Sequence, residues 1–148
     1  MHNIEYRKYN VDDYDPAQYT DQHDNLDAPN SGPDEDTVRG FLDAGQVEEA
    51  LKAVIESPPL GHAEQDLRNR STQLVAHVLH IFKSSDISES VQKLTIDEGD
   101  ILMKYIYKGF QLSSDASTCQ SLLMWHSSLV EKFGHGAIIR VLAGRQRL

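Results

Sequence analysis

The chain has one cysteine, Cys119, in 148 residues. That excludes an internal disulfide and a CxxC pair, and it fits a reducing compartment. Long apolar runs are missing too. No stretch approaches the roughly 20 residues needed to cross a bilayer, and Met1 to Lys8 lacks the basic start and apolar stretch of a secretory signal. A cytosolic address is therefore expected. Positive charge is in deficit, with a net charge of -9, the wrong sign for a nucleic-acid surface or an anionic membrane. Neither kind of partner is expected, which leaves proteins. There is no GxxxxGK[ST] loop, no GxGxxG after a strand, and no pair of carboxylates in surroundings that would separate their pKa values. No catalytic residue, cofactor site or metal site is therefore assigned, and an enzyme is not expected.

The acidity is unevenly spread. Residues 1–36 hold ten acids against Arg7 and Lys8, a net of -8, so the remaining residues are almost neutral. This first quarter shows no helical or strand period and ends in Ala28-Pro29-Asn30-Ser31-Gly32-Pro33, a turn and linker signature. It reads as an extended or disordered acidic arm. Four of the six tyrosines, Tyr6, Tyr9, Tyr14 and Tyr19, lie in it beside Ile4 and Val11. Tyrosine offers large apolar area with few rotatable bonds, so such an arm can lay rings into a partner and order on binding. A plain solubilising tail is the alternative.

From Thr37 to Leu148 the apolar residues recur at helical spacing, and no stretch alternates for long as a half-buried strand does. Val47, Ala50, Leu51, Val54 and Ile55 form a stripe that ends at Pro58-Pro59. A longer helix is expected from about Ala63 to Phe82. A short one follows, with Asp86 and Glu89 as a capping box, and the same device recurs at Thr95 and Glu98. Ile101 to Phe110 is mostly apolar apart from Lys104 and Lys108 on one face. The next helix is expected to begin after Ser114 as N-cap, with Cys119, Leu122, Leu123, His126, Leu129 and Val130 turned inward. A last short helix carries Ala137, Ile138, Val141 and Leu142. The expectation is an all-α body of about seven helices, residues 37–148. Its short connections imply antiparallel neighbours, three hairpins and a closing helix in an α-α superhelix-like layered bundle. No sequence period marks a consensus repeat array.

His77 and His80 stand at i, i+3 on the long helix, a spacing that can share a metal ion, but both project away from its apolar face. No matched HxxH or HExxH partner completes a site. His126, inside an apolar stripe, reads as a core histidine bonded to a backbone carbonyl. Cys119 reads as packing. Met124 and Trp125 point about 100° or more off the main stripe of their helix. With Met103, Tyr105 and Tyr107, they are covered either by a neighbouring hairpin or by a partner.

Several segments together resemble a known family. These are Tyr6-Arg7-Lys8, Val11-Asp12-Asp13-Tyr14-Asp15, Gly32-Pro33-Asp34-Glu35, Ala50-Leu51 leading to Pro58-Pro59, the run Leu102 to Phe110, Trp125-His126, and Ile139-Arg140-Val141-Leu142. They are similar to the subunit 5 family, the 16 kDa subunit, of the actin-related protein 2/3 complex. The resemblance covers almost the whole chain. It implies a helical body without activity of its own inside a cytoplasmic machine of the actin cytoskeleton and its cell projections, which starts branched filaments. It implies that the body docks on the β-propeller subunit and the small central scaffold subunit. The arm would reach the actin-related protein 2 subunit and tether it. Any bound nucleotide would belong to the actin-related subunits, and contact with actin filaments would be indirect. By this resemblance Tyr6, Arg7, Lys8, Val11 and Tyr14 are arm anchors, while Met103, Tyr105, Tyr107, Met124, Trp125 and Arg140 pack in the body or touch partners. Two other readings stay open: a free-standing helical adaptor that binds a peptide, and a metal-dependent regulator using His77 and His80.

Overall fold

The computed structural model describes residues 32–59 and 63–144. They form seven α-helices and no strand among the described residues: α1 (Glu35–Asp43), α2 (Val47–Glu56), α3 (Gln65–Ile81), α4 (Ser84–Gln92), α5 (Ile96–Leu112), α6 (Ala116–Phe133) and α7 (Gly136–Ala143). The division expected at residue 36 falls inside the first turn of α1. Asp34 is the N-cap, accepting from the Asp36 amide, and Gly32 and Pro33 are already buried.

Local signals set most boundaries. Thr95 and Glu98 form the expected capping box on α5, with Glu98 N–H donating to Thr95 Oγ1 at 3.3 Å and Thr95 N–H to Glu98 Oε2 at 2.7 Å. The expected box at Asp86 and Glu89 does not form. The helix starts earlier, after Lys83, so Asp86 sits in its first turn, where a carboxylate still favours the helix dipole. The N-cap of α6 is Asp115 rather than Ser114. Its carboxylate accepts from Ser117 Oγ at 2.6 Å and from the Thr118 amide at 3.0 Å.

The helices stack as layers. Ser84 of α4 lies against Met124 of α6, Lys132 of α6 reaches the Gln92 carbonyl at the other end of α4, and Arg140 of α7 pairs with Asp100 of α5. Each contact spans 40 residues. The unit α4–α5 is thus repeated in space by α6–α7, with α4 running parallel to α6 and α5 parallel to α7. This is the layering of an α-α superhelix, carried by geometry without a matching sequence repeat. It also departs from a simple set of antiparallel hairpins, because α4 packs chiefly on α6 instead of on its chain neighbours.

Three helix ends close in a common way. The last carbonyls of a helix lack intrahelical donors, and α2, α3 and α4 all end without glycine at the cap. The Val54 carbonyl of α2 would look four residues ahead to Pro58, which has no N–H. Tyr105 Oη of α5 donates to it instead, at 3.4 Å. Near the end of α3, Trp125 Nε1 of α6 donates to the Leu79 carbonyl at 3.2 Å. At the end of α4, Lys132 Nζ donates to the carbonyls of Val91, Gln92 and Leu94 at 2.9, 2.7 and 2.6 Å. Trp125 and Lys132 lie two turns apart on α6, so one side of this helix finishes two others. The core around them is apolar, with Leu102, Ile106, Leu122, Leu129 and Val78 fully enclosed. Close approach of α5 and α6 needs Gly99, where a Cβ would lie 2.5 Å from the Phe133 ring.

Two outcomes follow. Replacing Lys132 with Met keeps the stem but leaves the Gln92 and Leu94 carbonyls without their lysine donor, while the Val91 carbonyl keeps the Leu94 amide, and should lower the unfolding free energy by about 1.5–3 kcal/mol in urea titration. For Asp115, hydrogen bonds from Ser117 and from Thr118 hold the carboxyl at about 2, below its ordinary 3.8. A depressed folded-state pKa stabilises above the unfolded value and loses that effect as pH falls through the folded one. The stability gap between the native chain and Asp115→Asn should therefore be constant above about pH 5 and shrink between about pH 4 and pH 2.

Candidate partner-binding surfaces

Side chains that could face partners fall into two groups once the packing is known. Met103, Tyr105 and Trp125 are inside. Trp125 is 0% exposed and packs edge-on against Phe82, ring centroids 5.0 Å apart. Tyr105 sits under α2 with its hydroxyl on Val54, and burial pushes its phenol well above the ordinary range. Of the two ways of covering these side chains, neighbouring helices of the chain itself do so for Met103, Tyr105 and Trp125. α6 is contacted by α3, α4, α5 and α7, so residues about 100° off one stripe meet a second neighbour instead of solvent. Leu123, expected inward, is instead 56% exposed.

Tyr107, Met124 and Arg140 are nearer the surface. The Tyr107 hydroxyl and His126 Nε2 are 3.0 Å apart, and their rings form a half-buried cluster with Phe110. His126 thus pairs with a phenol, not with the backbone carbonyl expected. Met124 is half-buried against α4. Arg140 Nε donates to both oxygens of Asp100, at 3.0 and 2.8 Å, fastening α7 to α5. Tyr6, Arg7, Lys8, Val11 and Tyr14 lie outside the described residues.

Chemistry has little to work with among the described residues. No cluster of three or more His, Cys, Asp or Glu side chains is placed to hold a metal ion, and no helix is long and apolar enough to cross a membrane. His77 lines an open groove of about 680 Å³ between α1 and α3, together with Arg39, Leu42, Arg70 and Leu74. His80 instead turns to Ser121 Oγ on α6 at 2.9 Å. Cys119 is half-buried, its Sγ 3.8 Å from the Ser113 carbonyl.

Two features escaped sequence reasoning. Nothing in the sequence around Lys132 announces its three carbonyl partners. Ile139 and Leu142 are 65% and 64% exposed, although the sequence pattern groups Leu142 with the apolar face of the last helix. The readable signal was the run Gly136-Ala137-Ile138-Ile139-Arg140-Val141-Leu142-Ala143, which carries more apolar residues than one helix stripe can bury.

Comparison with known proteins bears on what these surfaces serve. The family model described as "P16-Arc: ARP2/3 complex 16 kDa subunit (p16-Arc)" matches residues 5–148. The chain is 54% identical over 149 residues to a Caenorhabditis elegans protein named probable actin-related protein 2/3 complex subunit 5, covering 100% of both. It is 38% identical over 141 residues to actin-related protein 2/3 complex subunit 5-C of Xenopus laevis, covering 95% of this chain and 93% of that one. A Homo sapiens relative, actin-related protein 2/3 complex subunit 5-like protein, is 36% identical over 143 residues, with the same coverage. A match of this extent, from inside the acidic arm to the last residue, makes the chain a member of the ARP2/3 complex 16 kDa subunit family.

Proposed function

We propose that this chain tethers the actin-related protein 2 subunit to the scaffold of an actin-related protein 2/3 complex, through its arm, while its helical body holds the scaffold. Family membership makes it a non-catalytic structural subunit of that complex, and the finer assignment concerns which part grips which neighbour. In this reading the body, residues 37–148, rests on the β-propeller subunit and the small central scaffold subunit. Residues 1–36 reach the actin-related protein 2 subunit with Tyr6, Arg7, Lys8, Val11 and Tyr14 as anchors. The complex would act in the cytoplasm, on the actin cytoskeleton and in cell projections.

The observation that carries this reading is the reach of the family match, which begins at residue 5 and so includes the arm as well as the helical body. An acidic arm bearing four tyrosines has the composition of a segment that gains its contacts on a partner. Joined to a docked body, even weak arm contacts become effective, because the linker turns the second encounter into an intramolecular one at high effective concentration. A tether of this kind keeps hold of a neighbour while allowing it to move.

The structure sharpens the test. Asp34 caps α1 and Gly32 and Pro33 are buried, so a clean deletion removes residues 1–31 and no more. The truncated chain should unfold at the same denaturant concentration as the full one. In a reconstituted complex, retention of the actin-related protein 2 subunit should fall at least tenfold, with a matching loss of filament nucleation. Unchanged retention and nucleation would remove the tethering role.

A further inference from the structure

The layered stack has two unlike ends. At the first, α1 turns Glu35, Asp36, Thr37, Arg39, Gly40 and Asp43 to solvent, the polar outer face that a terminal layer needs. At the other, α7 turns out Ile139 and Leu142, one helical turn apart and 65% and 64% exposed. Leu123 of the same layer, on α6, is 56% exposed. The stack is therefore capped at its start and open at its end.

Charge says what would fit there. The helices of the terminal layer carry a single acid, Glu131, and their two bases are engaged, Lys132 on the carbonyls at the end of α4 and Arg140 on Asp100. Asp100 of α5 is neutralised by Arg140. Lys104 of α5 lies beside the end of α7, its Cε 3.9 Å from where a Cβ on Gly144 would stand. Neither Lys104 nor Lys108 has a carboxylate partner among the described residues. An apolar strip with the unpaired Lys104 at its edge suits an α-helix with one apolar stripe flanked by Asp or Glu. The acidic flank pairs with Lys104, and the stripe adds the missing layer.

We infer that the α7 face around Ile139 and Leu142 is a docking site for an acidic amphipathic helix of another subunit of the complex, which completes the open end of the superhelix. The inference rests on the reading of the chain as a complex subunit and deepens it by naming the surface and the chemistry of its occupant. Covering two exposed aliphatic side chains takes their apolar area out of water, the favourable term in most protein association.

The test uses the full-length chain with Ile139→Asp and Leu142→Asp together, and separately Lys104→Glu. Both are co-expressed with the other subunits of the complex. The double variant changes only solvent-facing side chains, so its far-ultraviolet circular dichroism and unfolding midpoint should match the native chain. Its recovery in the complex should drop at least tenfold, and Lys104→Glu should lower recovery further at low salt than at high salt. Undiminished recovery of a folded double variant overturns the site, and salt-independent behaviour of Lys104→Glu overturns the acidic occupant. A free native chain that sediments as a dimer, and as a monomer when doubly substituted, assigns the face to a second copy and overturns the inference. So does faster hydrogen exchange in α7 on removing residues 1–31, which assigns the face to the chain's own arm. If the native chain itself fails to join the other subunits, it is the subunit reading that fails, and the two failures are thereby told apart.

Discussion

The body depends on a supply of side-chain hydrogen-bond donors at helix ends that close without a glycine cap. Folding a helix leaves its last carbonyls unpaired, and burying them without a donor costs about 1–3 kcal/mol each. Here the donors come from side chains far away in sequence: Tyr105 for α2, Trp125 for α3, and Lys132 for Gln92 and Leu94 at the end of α4. These bonds are specific in direction, so they fix where α5 and α6 sit along the earlier helices and not merely that they pack. The constant 40-residue offset between α4–α5 and α6–α7 is the geometric outcome of that registration.

Because the large aromatics of the body serve its own closure, they are not free to serve partners. Trp125 and Tyr105 resemble interface anchors by type, yet each is enclosed and has its polar atom satisfied within the chain. Under the proposed function, recognition falls to two elements: the arm, with its acids and tyrosines, and the terminal layer, where Ile139 and Leu142 of α7 face outward beside Lys104. A subunit held at two places, one through a compact face and one through a linker, can stay bound while one neighbour shifts.

Much of this was legible from residues alone. Helical periodicity located the helices from α2 to α7 among the described residues, Pro58-Pro59 stopped α2, and Thr95 with Glu98 marked the start of α5, because these signals act within a few residues. The Asp86 box failed for the same reason that it looked plausible: a carboxylate three residues before Glu89 also suits the first turn of a helix already begun. The inward turn of Trp125 was not legible. A single helix wheel assumes one buried face, whereas α6 meets four other helices. The partner of His126 was likewise hidden, since Tyr107 reaches it only after α5 and α6 come together. The spatial repeat left no trace in sequence, because stacking needs matched shapes at the contact positions and tolerates different residues there.

Hydrogen–deuterium exchange of the free chain and of the same chain in the assembled complex tests the central claim most directly. That claim is that the body closes on itself and grips its neighbours elsewhere. The account predicts that amides around Leu79, Trp125 and Leu129 exchange equally slowly in both states, while residues 1–31 and the second half of α7 slow markedly on assembly. Protection gained mainly at the α3–α6 core, with the arm and α7 unchanged, would contradict it.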